Sequence, residues 1–249
     1  ESNLIDIDKK IKPSSQSQLT SNVKLDLSHN KFNFETGMTS YETLGGLNSD
    51  KYQYILPYYE LDIPQIKTNE YGNLSFSSSG SNKLKNTNSL TTLINNNLNF
   101  ITKDFISFNG IINNLGFYFK NTNKVGKKVS TLKNSPQVNL MNIINFESKY
   151  PLIKIDENHY NSLIPKLSFR INPTDMKNYK NEDRKINTTN IFSINRLGLD
   201  DTFEEGRSLT LGLDYKKEKL NDINRFFEFK IASVLRDTDE KFIPSSSTL

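Results

Sequence analysis

There is no cysteine in these 249 residues, which excludes a disulfide framework and any thiolate metal site. Histidine is nearly missing too. Only His29 and His159 occur, far apart, and neither has a second ligand at metal spacing. A Ser-His-Asp site would have to use one of these two, and neither lies near a Gly-x-Ser-x-Gly turn. No run approaches the ~18 consecutive apolar residues of a membrane-crossing helix. The opening Glu1-Ser2-Asn3-Leu4-Ile5-Asp6 has neither the charged region nor the apolar stretch of a signal peptide. An exported protein with this sequence is expected to begin upstream, so the chain reads as a fragment or an excised region.

Apolar residues are scarce as well, at 35%, where an ordinary soluble domain has ~45–50% counting glycine. So polar a chain is either partly disordered or built of strands that show only every second residue to an apolar phase. Aromatics reach 11%, with 16 Phe and 11 Tyr, and a disordered chain has no burial to give them. The net charge is +4, but Lys and Arg are dispersed beside Asp, Glu or Asn, as in Lys216-Lys217-Glu218-Lys219. That is the pattern of solvated loops and turns, not of a nucleic-acid footprint.

Searching for chemistry is mostly unproductive. Gly126-Lys127-Lys128 fails as a phosphate loop, because Asn121 stands where the first glycine belongs and Lys128 replaces the Ser or Thr. The acidic run Asp200, Asp201, Glu204, Glu205, Gly206 lacks the alternating order that points oxygens at one calcium ion, and reads as a hairpin loop. No metal, no cofactor and no enzymatic reaction is expected; the chain looks like a conduit or scaffold.

What is present is alternation. Phe32, Phe34 and Met38 fall on one face, and Tyr52, Tyr54, Leu56 and Tyr58 repeat the pattern. Leu98 and Phe100 follow, then Ile106, Phe108, Gly110 and Ile112, and after a slip Leu115, Phe117 and Phe119. Later segments are cleaner: Leu167, Phe169 and Ile171; Leu209, Leu211, Leu213 and Tyr215; Phe227, Phe229 and Ile231. Period-2 segments broken by polar loops mean strands. In a soluble sandwich the apolar face is the core, whereas in a membrane barrel it faces lipid around a wet lumen. Three features favour the barrel: charges and small residues on the opposite face (Glu35, Lys166, Arg170, Asp214, Glu228, Lys230), tyrosines grouped near Tyr52–Tyr59, and loops as long as 172–190. The expected fold class is all-β, an antiparallel transmembrane β-barrel section, incomplete and therefore a curved open sheet. Leu167, Phe169, Ile171, Leu209, Leu211, Leu213, Phe227, Phe229 and Ile231 are expected to face lipid.

The most distinctive stretch is Asn190 to Asp214. It resembles the central barrel of the lipopolysaccharide-assembly outer-membrane protein (LptD, or organic-solvent-tolerance) family. That family shows Phe-Ser-x-Asn-Arg-hydrophobic-Gly-hydrophobic-Asp-Arg, then Glu-Gly-Gly and a Leu-x-Leu-Gly-Leu-x-Tyr strand. The matching positions are Phe192, Ser193, Asn195, Arg196, Gly198, Asp200, Glu205, Gly206, Leu211, Gly212 and Tyr215. Asp201 stands where Arg is common and Arg207 where the second Gly is common. Three upstream segments follow in the family's order: Tyr54 to Leu61, Ser148 to Lys154 and Leu163 to Pro173. The resemblance covers about residues 52–215, within a partial barrel domain spanning 1–249.

The residues carry a structural reading of their own. Gly198 and Gly206 permit positive-φ turns around the acidic loop, and Arg196 pairing with Asp200 or Asp201 would fix it. Pro57, Pro151 and Pro165 donate nothing to a ladder and belong at strand starts or bulges. The resemblance implies a bacterial outer-membrane location and a function in lipopolysaccharide transport into the outer leaflet. The partners it implies are lipopolysaccharide, a lipoprotein plug, a periplasmic bridge reached through a domain outside this chain, and outer-membrane lipid; nucleic acid is not among them. A chain of this length holds about a dozen strands, fewer than the family's barrel needs. The alternatives are a soluble all-β binding module, such as an adhesin or carbohydrate-binding sandwich, and another outer-membrane barrel such as a nutrient receptor.

Overall fold

The computed structural model describes residues 18–44, 51–68, 71–199, 202–237 and 241–247. Among them lie twelve strands: β1 (Gln18–His29), β2 (Phe32–Thr43), β3 (Tyr52–Thr68), β4 (Gly72–Lys85), β5 (Ser89–Thr102), β6 (Phe105–Ile106), β7 (Ile112–Lys127), β8 (Gln137–Lys149), β9 (Leu152–Ile155), β10 (His159–Asn172), β11 (Gly206–Lys219) and β12 (Asp222–Arg236). The described residues contain no α-helix, only a 3-10 turn at Ser245–Ser247. The strands lie in one antiparallel sheet in chain order, β1-β2-β3-β4-β5-β7-β8-β10-β11-β12, with β6 on β7 and β9 on β10. Each period-2 segment pairs with its chain neighbour, the shortest connection available to it. The sheet is open, with β1 and β12 at its ends. The fold is all-β and antiparallel.

By compactness the chain forms two units. Unit 1 comprises Glu1–Ile66, Ser75–Leu98 and Lys120–Leu140; unit 2 comprises Lys67–Leu74, Asn99–Phe119 and Met141–Leu249. In unit 1, β1 and β2 pair without a slip from Gln18↔Thr43 to His29↔Phe32. Directly opposed residues share a face, so Val23↔Met38 and Leu27↔Phe34 lie on one side, and Lys24↔Gly37 and Asp26↔Glu35 on the other. The apolar side is the exposed one: Val23 is 76% exposed, while Thr39 and Tyr41 on the polar side are buried.

In unit 2 the pairings Phe169↔Leu209, Leu167↔Leu211 and Leu213↔Ile231 put one apolar stripe across β10, β11 and β12. Lys166, Ser168, Arg170 and Asn172 alternate onto the other side with Ser208, Thr210 and Asp214. Again the apolar side is open, with Phe169 at 39% and Ile231 at 57% exposed; the polar side is closed on β10 and β11, with Ser168 and Ser208 each at 6%, while Glu228 and Lys230 of β12 are exposed. Among the described residues, buried polar side chains outnumber buried apolar ones.

Three local expectations need correction or refinement. Ile106, Phe108, Gly110 and Ile112 do not continue a strand. β6 and β7 form a tight hairpin, closed by Ser107 N–H to the Ile111 carbonyl at 2.9 Å and turned by Gly110 at φ +81°. Tyr58 does not share the face of Tyr52 and Tyr54. A register shift between Gly37 and Thr39 puts it opposite Gly37, where its hydroxyl donates to Glu35 at 3.1 Å. Pro57 sits inside that shift. Pro151 precedes β9, whereas Pro165 lies within β10, in the gap where β9 pairing (Tyr160–Leu163) gives way to β8 pairing (Lys166–Ile171). A residue with no N–H is tolerated where the ladder is already interrupted.

Candidate functional site

The motif stretch lies in unit 2, in and beside the long connection from β10 to β11, residues 173–205. This connection folds onto the polar face of the strands that flank it. Its Phe203 and Ile194 pack with Met141 and Ile143 of β8 and with Tyr118. Met176, Leu197 and Leu199 make a second apolar cluster with Ile243, joined by Tyr179 and Ile186. The serine-rich segment 241–247 therefore belongs to the loop's packing: Ser247 Oγ accepts from Ile186 N–H at 3.0 Å, and Ser246 Oγ donates to the Arg184 carbonyl at 2.8 Å.

Under the loop sits a buried charge cluster. Glu204 is 4% exposed and meets the guanidinium groups of Arg170 (β10), Arg196 (loop) and Arg236 (β12). Arg196 grips both Glu204 oxygens in a fork, one at 2.7 Å, and reaches Ser208 at 2.9 Å and Thr210 at 3.1 Å. Arg170 donates instead to the carbonyls of Glu204 at 2.6 Å and Ile194 at 3.1 Å. Asn172 donates to the same Glu204 carbonyl at 2.9 Å. Burial pushes the pKa of Glu204 up, but the charges of the three arginines and the Arg196 hydrogen bond outweigh it and leave about 2. A planar fork against a carboxylate is the geometry arginine is suited to. So enclosed a pair fixes a shape and offers no solvent-open site.

Each described motif residue has a place in this arrangement. The Asn195 side chain accepts from Leu199 N–H at 2.9 Å and donates to its carbonyl at 2.7 Å, enclosing Gly198 at φ +62°. Ser193 Oγ donates to the Asn190 carbonyl at 2.7 Å, and Glu205 accepts from Met176 N–H at 2.8 Å. Gly206, at φ +80°, opens β11. The Phe192 ring packs against Gly212, where an added Cβ would come 2.6 Å from its Cζ. Lys166 stands 5.7 Å from the Phe192 ring centre and pairs with Asp214. The Tyr215 hydroxyl donates to Asn161 at 3.3 Å, and Leu211 points to the exposed face. Asp200 and Asp201 lie outside the described residues; among those described, the carboxylate that Arg196 meets is Glu204. Sequence reading singled out Arg170 only as a lumen charge and did not single out Arg236, whose one signal was its place on the polar alternation of β12.

All nine residues expected on the apolar face lie on one side of β10, β11 and β12. Leu211, Phe227, Phe229 and Ile231 are exposed with Phe169, and Leu167, Ile171, Leu209 and Leu213 are half-buried beside them. In unit 1 the corresponding face is interrupted. The Tyr59 hydroxyl bonds Ser78 at 3.1 Å, Ser78 donates to Asn96 at 2.7 Å, and Asn96 donates to Asn121 at 3.0 Å. This chain of side chains crosses β3, β4, β5 and β7 on the side of Thr36 and Phe34. No known protein-family description matches the chain, and no curated protein matches it significantly. None of the described residues forms a cluster of three or more metal-ligating side chains.

Proposed function

We propose that this chain is part of the wall of a bacterial outer-membrane β-barrel of the lipopolysaccharide-assembly family. In this reading it works as a transport scaffold without enzymatic activity. The observation that carries it is the inversion of the sheet: the apolar stripe of β10–β12 is exposed, while on the opposite face Ser168, Arg170 and Asn172 of β10 and Ser208 and Thr210 of β11 are buried. Water penalises an exposed apolar stripe, at ~25 cal/mol per Å² left unburied, and a bilayer removes that penalty. A soluble sandwich would turn this stripe inward against a second layer, and the described strands form one sheet. Another outer-membrane barrel would share the inversion; the stretch Phe192 to Tyr215 supports the lipopolysaccharide-assembly family over it. The Arg196–Glu204 fork then holds a loop inside the polar lumen, past which an amphipathic glycolipid moves towards the outer leaflet. The lipoprotein plug and the periplasmic bridge are partners in the same proposal.

Circular dichroism of the chain in water and in detergent micelles tests the membrane part. Strand signal that forms only in detergent is the expected result. A monomeric chain that folds cooperatively in plain buffer overturns it. Photo-crosslinking to lipopolysaccharide from the polar face, at Thr91 or Lys230, tests the substrate; labelling confined to the apolar face overturns a lumenal route.

A further inference from the structure

We propose that a cavity on the polar face of unit 1 binds the phosphate monoester head of an anionic amphiphile. The cavity encloses about 530 Å³, within the ~300–1,000 Å³ of small-ligand sites. Lys83, Lys85 and Lys128 line it, and no carboxylate does. Among the described residues none of these three lysines has an acidic partner, a state they share with other exposed lysines such as Lys127 and Lys217; what sets them apart is that they line one cavity. Three ammonium groups without a planar guanidinium make a point-charge site, which suits a doubly charged phosphate better than a bidentate carboxylate. Tyr41, Ile55 and Val129 complete the wall, so a ligand filling the space carries an apolar stem beside its charge.

Backbone strain marks the same place. Asn86 (φ 50°), Thr87 (φ 55°) and Lys128 (φ 56°) are the non-glycine residues with left-handed backbone among those described. Of the three, Lys128 lines the cavity, and Asn86 and Thr87 sit in the β4–β5 hairpin turn beside it, between Lys85 and Ser89. An L side chain is disfavoured there, and neither lysine nor threonine has the short amide that lets asparagine tolerate it. The turns are pinned across the cavity by Ser89 Oγ, which donates to the Lys128 carbonyl at 3.1 Å, and by Asn86 N–H to the Tyr52 carbonyl at 3.3 Å. Glycine would remove the strain at residue 128 and with it one ammonium group. Strain kept at a cationic rim is the pattern of a binding site. Gly126-Lys127-Lys128 fails as a phosphate loop by spacing, yet its last residue serves a phosphate here by position. The inference deepens the proposed function by naming a ligand chemistry, and rests on it for the amphiphilic half of that ligand.

The test is calorimetric titration of the full chain in dodecylmaltoside micelles. The probes are dihexanoyl phosphatidic acid, dihexanoyl phosphatidylcholine and inorganic phosphate. Saturable binding of phosphatidic acid is expected, with phosphatidylcholine silent and inorganic phosphate weaker. Affinity should fall ten-fold or more in Lys83→Gln/Lys85→Gln and in Lys128→Gly, while Lys128→Gly unfolds at the same or a higher temperature. Unchanged affinity in both variants overturns the proposal, as does equal binding of phosphatidylcholine. Inorganic phosphate binding as tightly as the lipid overturns the amphiphile and leaves a free-anion site. Flotation with phosphatidylcholine vesicles separates the two readings. Insertion without lysine-dependent binding overturns this inference alone, and lysine-dependent binding without insertion overturns the membrane wall alone.

Discussion

In unit 2 the connection between β10 and β11 covers the polar face at Ser168, Arg170, Ser208 and Thr210, and the charges buried there answer one another around Glu204. In unit 1 the polar face around the β4–β5 hairpin stays open, and Lys83, Lys85 and Lys128 keep their side chains in solvent. The apolar faces differ as well, continuous on β10–β12 but crossed in unit 1 by the Tyr59–Ser78–Asn96–Asn121 chain. Both units have the same strand chemistry, so what differs is what the polar side is asked to do. A covered, mutually satisfied cluster holds a loop in one shape. An open cationic rim kept under backbone strain is suited to meeting something from outside.

Removing the charge at the centre of unit 2 should break that contrast most severely. Glu204→Gln leaves three guanidinium groups without their carboxylate, and losing one partner of a buried ion pair costs about 3–5 kcal/mol. Urea unfolding of the full chain in micelles should show that loss, with early proteolysis inside 173–205; cleavage as slow as in the unsubstituted chain would argue against the cluster as the loop's anchor. Acid does the same reversibly. The pKa of Glu204 lies below the ordinary 4.5, at about 2, so its contribution is complete above pH 4.5 and is lost as pH falls towards 2. A loop-cleavage profile measured across that window should rise with acid, and should be flat in Glu204→Gln.

Leu211→Arg comes next, at about 2–4 kcal/mol if the residue sits near the bilayer midplane. Arg at Thr91, on the open polar face of unit 1, should cost little. Equal losses at the two positions, measured by folding yield into vesicles, would remove the distinction between the faces. Gly212→Ala should follow at about 1–3 kcal/mol, because the new methyl meets the Phe192 ring and overpacks the contact. Phe192→Leu in the same chain should recover most of that loss, as thermal unfolding would show. The smallest effect is a gain: Lys128→Gly should stabilise unit 1 by about 1 kcal/mol through relief of its left-handed backbone.

How much of this was legible in the sequence depended on the length scale of the cause. Alternation at Leu209, Leu211 and Leu213 is set by the pleat itself, so the face of each residue could be read from the chain. Tyr58 could not, because a one-residue shift against β2 moved it across the sheet, and nothing local to Tyr58 records the partner's register. Arg196 was legible as a loop anchor, but the six positions 200–205 include four acids. The choice of Glu204 depends on Arg170 of β10 and Arg236 of β12 meeting it, and on Ser208 and Thr210 of β11 meeting Arg196. The lysine-lined cavity was not legible either. Lys83 and Lys85 read as ordinary solvated charges until the turn containing Lys128 was brought beside them.

The bond from Ile186 to Ser247 spans 61 residues, and that from Ser245 to Lys180 spans 65. Closing a contact of that reach costs chain entropy, and the cost is least once the intervening chain is already ordered. The final form of the β10–β11 loop thus depends on β11 and β12, whatever its local turns do by themselves. Its integrity reports on the strands behind it. An assembly apparatus that sensed the loop would be sensing whether this part of the wall had been built.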